Sequence, residues 1–243
     1  MDSIILRLDV FNSRFDLEHA RSGALEGSTC VVIDILRAST TITKALVEGA
    51  SKIHIAGSAD EAFALKESLG GNVLLCGERN GLIIPGFDLG NSPLEYNKET
   101  VGGRTLVFAS TNGSKTLLSC KEAYDIIVGG FVNLSAVVDE LARAESAVLV
   151  CSGKLGRFSS EDAVCAGMII DRLSSKQIKI ELASDTAWNA FWLFERFISN
   201  PEETLEKTEH AVYLARELGM VDDVAILEQD AAHLIGLGLG ADL

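Results

Sequence analysis

The amino-acid sequence predicts an α/β fold in which a largely parallel sheet carries helices on both faces. Short apolar segments that resemble buried strands alternate along the chain with helix-like segments, an order that favours parallel strands joined by helices. Three segments also share one plan, an apolar strand followed by a polar turn and a helix. They are VVIDILRASTTITKAL, TLVFASTNGSKTLLSC and AVLVCSGKLGRFSSEDAVCAG.

The individual elements follow from local patterns. Strands are predicted at residues 3–11, 30–35, 52–56, 72–76, 105–109, 125–128 and 146–151, where apolar residues run together or alternate with polar ones. Helices are predicted at residues 39–48, 58–69, 112–121, 133–143 and 160–174, and Ser58 with Glu61 forms a capping box. The chain beyond Leu182 is predicted to be helical, with an aromatic core or interface stripe that includes Trp188 and Trp192 and a final helix at 222–235.

The length allows one sizeable domain with a real core, because the chain has 243 residues, 47% of them apolar. We expect a single α/β unit over residues 1–243, which could divide near residue 100 and carry a mainly helical segment at 182–243. Residues 77–97 form the one long irregular segment, with Pro85, Pro93 and four glycines. A loop of this length in a compact domain indicates a functional segment, and its Ile83, Ile84 and Phe87 predict that it is packed.

The charge balance excludes several classes of partner. Lys and Arg number 21 against 35 Asp and Glu, so the formal net charge is -14, which repels nucleic acids and anionic membranes. No apolar run reaches the length of a membrane span, and the N-terminus lacks a signal-peptide layout. Five scattered cysteines without a CxxC pair indicate reduced, buried thiols. We therefore expect a cytoplasmic protein.

Polar residues are concentrated in the three turns and in the long loop. Parallel strands bring the three turns to one edge of the sheet, where ligands bind in such folds. A helix start offers unpaired N–H groups to an anion, and arginine binds oxyanions through two parallel hydrogen bonds. The inventory of this edge is Asp34, Arg37, Ser39, Thr40, Thr41, Glu78, Arg79, Asn80, Asp88, Ser110, Thr111, Asn112, Gly113, Ser114, Lys154, Arg157, Ser159, Glu161 and Asp162.

Carboxylates beside phosphate-binding groups favour a hard cation such as Mg²⁺, which takes carboxylate, water and substrate oxygens. Zinc is disfavoured because the four histidines are isolated in the sequence. The P-loop pattern GxxxxGK[ST] is absent, and so is the DxD pattern of aspartyl-phosphate hydrolases, since Leu36 lies two residues after Asp34. One alternative is a thiolate nucleophile, because Cys151 and Arg157 have the Cys-x5-Arg spacing of cysteine-dependent phosphatases.

The combination of motifs resembles the 2-phosphosulfolactate phosphatase family. The resemblance rests on VVIDILRASTTITKAL, GERNGLIIPGFDLGNSP, FASTNGSKTL, GGFVNLSA and CSGKLGRFSSEDAVCAG, which lie in the family's order over roughly residues 30 to 170, and on the ending ELGMVDDVAILEQDA. It implies a three-layer α/β/α fold. It also implies Mg²⁺-dependent hydrolysis of (R)-2-phospho-3-sulfolactate to 3-sulfolactate and phosphate, a step toward coenzyme M or sulfolactate.

We hypothesise that Asp34, Glu78 and Asp162 hold Mg²⁺, with Asp88 and Glu161 as further candidates. The predicted catalytic set is Asp34, Arg37, Glu78, Arg79 and Asp162. The predicted substrate-binding set is Ser39, Thr40, Thr41, Asn80, Thr111, Asn112, Gly113, Ser114 and Arg157. One carboxylate without metal would transfer protons. Direct attack by water and a phosphoenzyme on Asp34 both stay open.

Three other outcomes are left open at this stage. The chain could be a metal phosphatase for another small phosphorylated hydroxy acid. It could instead be a non-catalytic anion-binding protein of the same fold. Finally, it could act either alone or as a homo-oligomer on its small anionic substrate.

Overall fold

The fold was analysed in a computed structural model that describes residues 5–199, without the side chains of Phe197 and Ile198. The first of two sheets has five parallel strands in the order β7-β2-β8-β1-β9. These strands are β1 (Ile5–Phe11), β2 (Thr29–Ile33), β7 (Asp125–Gly129), β8 (Ser146–Cys151) and β9 (Lys179–Leu182).

The second sheet has four strands in the order β3-β6-β4-β5. They are β3 (Lys52–Ile55), β4 (Val73–Arg79), β5 (Leu82–Ile83) and β6 (Thr105–Ala109). The first three of these strands are parallel, whereas β4 and β5 form a short antiparallel hairpin. All four lie between β2 and β7 in the chain, so the second sheet is built within one connection of the first.

The described helices surround the two sheets. They are α1 (Arg14–Glu18), α2 (Ala38–Val47), α3 (Ala59–Leu69), α4 (Lys98–Val101), α5 (Gly113–Ser119), α6 (Leu134–Leu141), α7 (Ser160–Ser175) and α8 (Asp185–Ser199), with short 3₁₀ turns at Pro93–Glu95 and Phe131–Asn133. Helices α6, α7 and α8 cover one face of the five-stranded sheet, and the segment after β1 covers the other. The predicted three-layer α/β fold with a mostly parallel sheet is confirmed.

Helix α2 lies between the two sheets. Its Ile42 is buried in the same cluster as Phe108 of the second sheet, and Val128 of the first sheet packs against that cluster. Helix α3 closes the outer face of the second sheet, where Ala62 packs with Val107. This packing brings the carboxyl ends of strands from both sheets to one place.

Helices α7 and α8 pack closely because a glycine lies at their contact. A Cβ on Gly167 would lie 2.1 Å from the carbonyl oxygen of Ala190, a distance that no side chain tolerates. The aromatic residues of α8 divide accordingly: Phe194 is buried, whereas Trp188 and Trp192 remain exposed. Of the predicted aromatic stripe, Phe194 therefore belongs to the core, whereas the two tryptophans lie at the surface.

The structure corrects three local predictions. The strands lie in two sheets rather than one, because strand order across a sheet is not written in local pattern. Residues 179–182 form an edge strand in the first sheet, where the sequence indicated only loop and helix. The segment 77–97 is not wholly irregular, since Glu78 and Arg79 complete β4. In that segment Ile84 and Phe87 are buried, as predicted, whereas Ile83 is exposed.

Several other expectations are confirmed. The strands at Thr105–Ala109 and Ser146–Cys151 have the predicted bounds, and all five cysteines are free and buried. Within residues 5–199, no helix is both long enough and apolar enough to cross a membrane. The predicted helix at 222–235 lies outside the described residues, and the division of the chain into domains stays a prediction.

Candidate active site

The candidate site lies where three strand-to-helix turns meet. The turns follow β2, β6 and β8, and each leads directly into a helix, α2, α5 or α7. Strands β2 and β8 are neighbours in the first sheet, whereas β6 belongs to the second. The turns therefore converge between two sheet edges, not along one edge as the sequence suggested.

Asp34 stands at the centre of this convergence and is only 7% exposed. Its Oδ1 accepts a hydrogen bond from the backbone N–H of Ala38 at 3.3 Å, in the first turn of α2. A Cβ on Gly113, the first residue of α5, would lie 2.6 Å from Asp34 Oδ2. The carboxylate thus fills the narrow space between the starts of two helices, and glycine is required there for close approach.

Asp162 joins the first turn to the third. Its two carboxylate oxygens accept hydrogen bonds from the backbone N–H of Ile35 at 2.9 Å and of Gly153 at 3.1 Å. Burial raises the pKa of Asp162 well above its usual value, and the nearby charges of Glu161 and Asp34 raise it further, despite these two hydrogen bonds. Three buried carboxyl groups therefore share one electrostatic environment.

Glu78 ties the β4–β5 hairpin to the second turn. Its carboxylate accepts hydrogen bonds from the N–H of Thr111 at 2.6 Å, from the hydroxyl of Thr111 at 2.8 Å and from the N–H of Gly81 at 2.7 Å. The Thr111 hydroxyl in turn accepts from the N–H of Asn80 at 2.9 Å. Arg79 donates to the carbonyl of Ser110 at 3.4 Å. The predicted loop and turn are thus in direct contact.

The structure places the hydroxyls of the first turn, which are predicted to bind substrate, in hydrogen bonds with backbone carbonyls. Ser39 donates its proton to the carbonyl of Val32, Thr40 to that of Ile35 and Thr41 to that of Asn91. A hydroxyl has one proton to donate, so these three groups hold the turn and the loop in shape. Ser114 behaves similarly, because its hydroxyl bonds within the second turn to Ser110.

The amide of Asn112 and the guanidinium of Arg79 remain able to bind a ligand. Asn112 Oδ1 accepts from the N–H of Leu155 at 3.3 Å, which leaves its NH₂ group without a hydrogen-bond partner among the described residues. Arg37 is buried at the start of α2, and the Leu36–Arg37 peptide bond is cis. Arg157 lies exposed in the third turn.

Comparison with known proteins identifies the family. The family model described as 2-phosphosulpholactate phosphatase matches residues 16–236. The chain belongs to this family. It is 46% identical over 200 residues to a probable 2-phosphosulfolactate phosphatase of Carboxydothermus hydrogenoformans, covering 82% of this chain and 81% of the relative.

Two further relatives carry the same printed name. The Thermotoga maritima protein is 41% identical over 209 residues, covering 86% of this chain and 88% of the relative. A Clostridium perfringens protein is 41% identical over 223 residues, covering 90% and 87%. The resemblance noted in the sequence is confirmed, and the family's name describes phosphoric monoester hydrolases, the predicted enzyme class.

In this member of the phosphatase family, the carboxylates that were predicted as metal ligands do not all lie in one place. Among residues 5–199, no three His, Cys, Asp or Glu side chains form a group that could hold an ion. Glu78 is engaged by the second turn, and Asp88 lies elsewhere, accepting from Lys66 at 3.0 Å and from the N–H of Leu75 at 2.8 Å. Burial would raise the pKa of Asp88, but these two bonds outweigh it and lower the pKa.

The remaining carboxylates nevertheless fit Mg²⁺. This ion commonly uses one or two protein carboxylates and takes its other oxygens from water and substrate. Asp34 and Asp162 meet that requirement, because both are buried and the charge of each disfavours that of the other. A cation between or beside them would relieve this repulsion.

Two buried polar groups of the site were missed in the sequence. Ser152 Oγ and Asn91 Oδ1 are buried, and neither has a hydrogen-bond partner in the part of the chain that the structure describes. Ser152 directly follows β8, beside the turn that holds Asp162. Asn91 lies in the motif GFDLGNSP, which could have marked it as a site residue. Only the fold, however, shows that its backbone carbonyl accepts a hydrogen bond from Thr41 of α2.

The geometry disfavours the thiolate alternative. Cys151 is the last residue of β8 and is fully buried. Burial raises the pKa of its thiol well above the usual value, and the charge of Asp162 adds to the effect. A nucleophilic cysteine needs the opposite environment, one that stabilises the thiolate.

Proposed function

We propose that this protein is a Mg²⁺-dependent phosphatase that hydrolyses (R)-2-phospho-3-sulfolactate to (R)-3-sulfolactate and phosphate. The observation that carries the proposal is the convergence of three helix-leading turns around the buried carboxylate of Asp34, with the β4–β5 hairpin bound to the second of these turns. The membership of the chain in the 2-phosphosulpholactate phosphatase family supports the choice of substrate.

Asp34 and Asp162 would hold Mg²⁺, and Glu161 lies next to them. When bound, the ion would neutralise phosphate charge and lower the pKa of a coordinated water. The structural support is the burial of these three carboxyl groups, which are 7%, 3% and 5% exposed. The charges of Glu161 and Asp34 help to raise the pKa of Asp162, and a divalent cation would offset this repulsion between neighbouring carboxylates.

Arginines and one amide would bind the anionic groups of the substrate. Asn112 lies in the second turn and Arg79 donates to the Ser110 carbonyl of the same turn, so both can donate to phosphoryl oxygens as negative charge builds up there. Arg37 lies at the start of α2, whose positive dipole end favours an anion. Arg157 is exposed in the third turn and could contact a sulfonate or carboxylate at the entrance to the site.

Proton transfer falls to a carboxyl group that does not hold the ion. Glu161 is the residue proposed for this role, because it is buried next to Asp162 at the start of α7. In its protonated form, a carboxyl group at this position can donate its proton to the leaving oxygen of the sulfolactate.

The proposal is tested by phosphate release. The purified protein is incubated with 2-phosphosulfolactate, with 2-phospholactate and with a simple phosphoester, first with Mg²⁺ and then with EDTA. We expect release from phosphosulfolactate that EDTA abolishes and excess Mg²⁺ restores. Faster release from phospholactate would indicate a phosphatase for another phosphorylated hydroxy acid. Binding of these anions without release from any of them would indicate a non-catalytic protein.

Location, assembly and pathway are part of the same proposal. Five buried, free cysteines support a reducing compartment such as the cytoplasm. The exposed Trp188 and Trp192 on α8 support self-association as a prediction. The resemblance to the family supports a role for the product in making coenzyme M or sulfolactate.

A further inference from the structure

A polar cavity lies along β1 and β8 on the face of the five-stranded sheet that the segment after β1 covers. It has a volume of about 210 Å³ and is lined by residues from β1, β8 and the segment between α1 and β2. Its polar lining comes from Arg7, Asp9, Arg21, Ser28 and Ser146. The cavity is far larger than the ~10–15 Å³ that one water needs, and smaller than the ~300–1,000 Å³ of pockets for drug-sized ligands. A ligand of a few heavy atoms fits it.

Two exposed arginines, Arg7 and Arg21, line this cavity together with one carboxylate, Asp9. Among the described residues, neither Arg7 nor Arg21 has a carboxylate oxygen within 4 Å, although Glu181 is the neighbour of Arg7 on β9. The carboxylate in the lining, Asp9, accepts a hydrogen bond from the hydroxyl of Ser184 instead. The lining therefore carries two positive charges and one negative charge, in a chain whose formal net charge is -14.

Two hydroxyls complete the set of donors. The Oγ atoms of Ser28 and Ser146 are 2.8 Å apart and share one hydrogen bond. Because each hydroxyl has one proton, the pair keeps a second proton that can be donated to a ligand. Ser28 is buried, so this pair is fixed in the wall of the cavity.

The cavity is separate from the candidate active site. Arg7 and Ser146 are register partners near the amino ends of β1 and β8, whereas the active-site turn begins after Cys151 at the carboxyl end of β8. A strand rises ~3.3 Å per residue, so the five steps from Ser146 to Cys151 place the Arg7 end of the cavity roughly 17 Å from that turn, whereas Phe11 at its other end pairs with Val150.

We propose that this cavity binds a small tetrahedral oxyanion, a phosphate or sulfonate group either free or on a small organic molecule. The guanidinium groups of Arg7 and Arg21 supply paired N–H donors and positive charge, which suit such an anion. The Ser28–Ser146 pair supplies the remaining donor. Apolar neighbours such as Phe11 and Ala24 can accommodate the carbon portion of an organic ligand.

The test measures binding of radiolabelled inorganic phosphate by equilibrium dialysis in EDTA, using full-length Arg79→Gln protein so that the active site contributes least. We expect saturable binding of one phosphate per chain, displaced by methanesulfonate. Adding Arg7→Gln and Arg21→Gln should weaken binding at least about 10-fold, since hydrogen bonds to charged groups are lost. The matched control adds Arg14→Gln and Arg143→Gln, which alter one half-buried and one exposed arginine with local ion pairs, and should leave binding unchanged.

A second variant changes the space without changing the charge. Ala24→Phe should fill the cavity and abolish phosphate binding, while phosphate release from substrate by otherwise wild-type protein stays unchanged. The Ala24→Phe variant tests the proposal even if the protein with Arg7→Gln and Arg21→Gln does not fold. Absence of saturable binding, or binding that survives both cavity variants, would overturn the proposal.

Discussion

The contact between Gly113 and Asp34 gives the sharpest prediction about the active site. In Gly113→Ala, the new Cβ would lie 2.5 Å from the Cβ of Ala38 and 2.6 Å from Asp34 Oδ2. Carbon atoms pack best at roughly 3.5–4.0 Å, so the starts of α2 and α5 must separate by about 1 Å or the carboxylate must move by a similar distance. The substitution therefore displaces the group at the centre of the site.

The displacement predicts a small loss of stability and a large loss of activity. Overpacking of this kind costs about 1–3 kcal/mol, which at this size lowers Tm by about 2–4 °C for each kcal/mol. A misplacement of about 1 Å at a reacting centre can cost roughly 100-fold in rate. We therefore expect kcat/KM for phosphosulfolactate to fall about 100-fold in Gly113→Ala protein that is still folded at the assay temperature.

Gly130→Ala is the matched control for this experiment. Like Gly113, Gly130 lies after a strand, in this case β7 of the first sheet. Alanine can adopt its φ of -164°, and a Cβ there would lie at an ordinary 3.7 Å from Ile35 and Ser39. We expect wild-type kcat/KM and a gain of about 0.4–1 kcal/mol in unfolding free energy, because alanine restricts the unfolded chain. Wild-type turnover in Gly113→Ala would refute the assigned position of Asp34 in catalysis.

Three further predictions concern neighbouring groups. Glu78→Gln should lower the unfolding free energy by about 1–3 kcal/mol in urea denaturation, because a buried acceptor of three hydrogen bonds loses its charge; an unchanged midpoint would contradict this. Cys151→Ser should keep kcat within a few-fold, whereas loss of activity in folded protein would restore the thiolate alternative. The pKa of Asp162 is higher in the folded protein than in the unfolded chain. Without a cation, the contribution of Asp162 to stability is therefore lost as the pH rises from its unfolded pKa through its folded pKa. Mg²⁺ should consequently raise Tm more in mildly alkaline than in mildly acidic buffer, and a gain independent of pH would argue against a cation at Asp162.

Local sequence patterns predicted most elements because their signals are local. The strand Thr105–Ala109 is a run of buried apolar residues between polar turns, and Ser58 caps α3 through the N–H of Glu61 as expected. The edge strand Lys179–Leu182 was not predicted, although Ile180 and Leu182 alternate with charged residues in the same way as the apolar residues of β3 alternate with polar ones. The division into two sheets depends on which strands pair, and that depends on contacts between distant residues.

The site was predicted as a set of residues but not as a set of roles. The pairing of parallel strands brings Asp34 and Asp162 together as inferred, whereas Asn112 joins them from the second sheet, which the sequence did not predict. The sequence could not reveal that Glu78 is occupied by Thr111, or that the Thr40 hydroxyl donates to a backbone carbonyl. Those assignments depend on hydrogen-bond distances within and between the turns, and a change of a few tenths of an ångström decides whether two groups are bonded.

The central claim is that Asp34 and its surrounding turns perform catalysis, and Asp34→Asn tests it most directly. Asparagine can still accept the hydrogen bond from Ala38, so the protein should stay folded while the charge is lost. We expect Mg²⁺-dependent phosphate release from phosphosulfolactate to fall at least about 100-fold, the scale of a lost electrostatic or proton-transfer group. Asp139→Asn, which alters an exposed carboxylate paired with Lys176, should retain wild-type turnover. Wild-type turnover in Asp34→Asn would contradict the account.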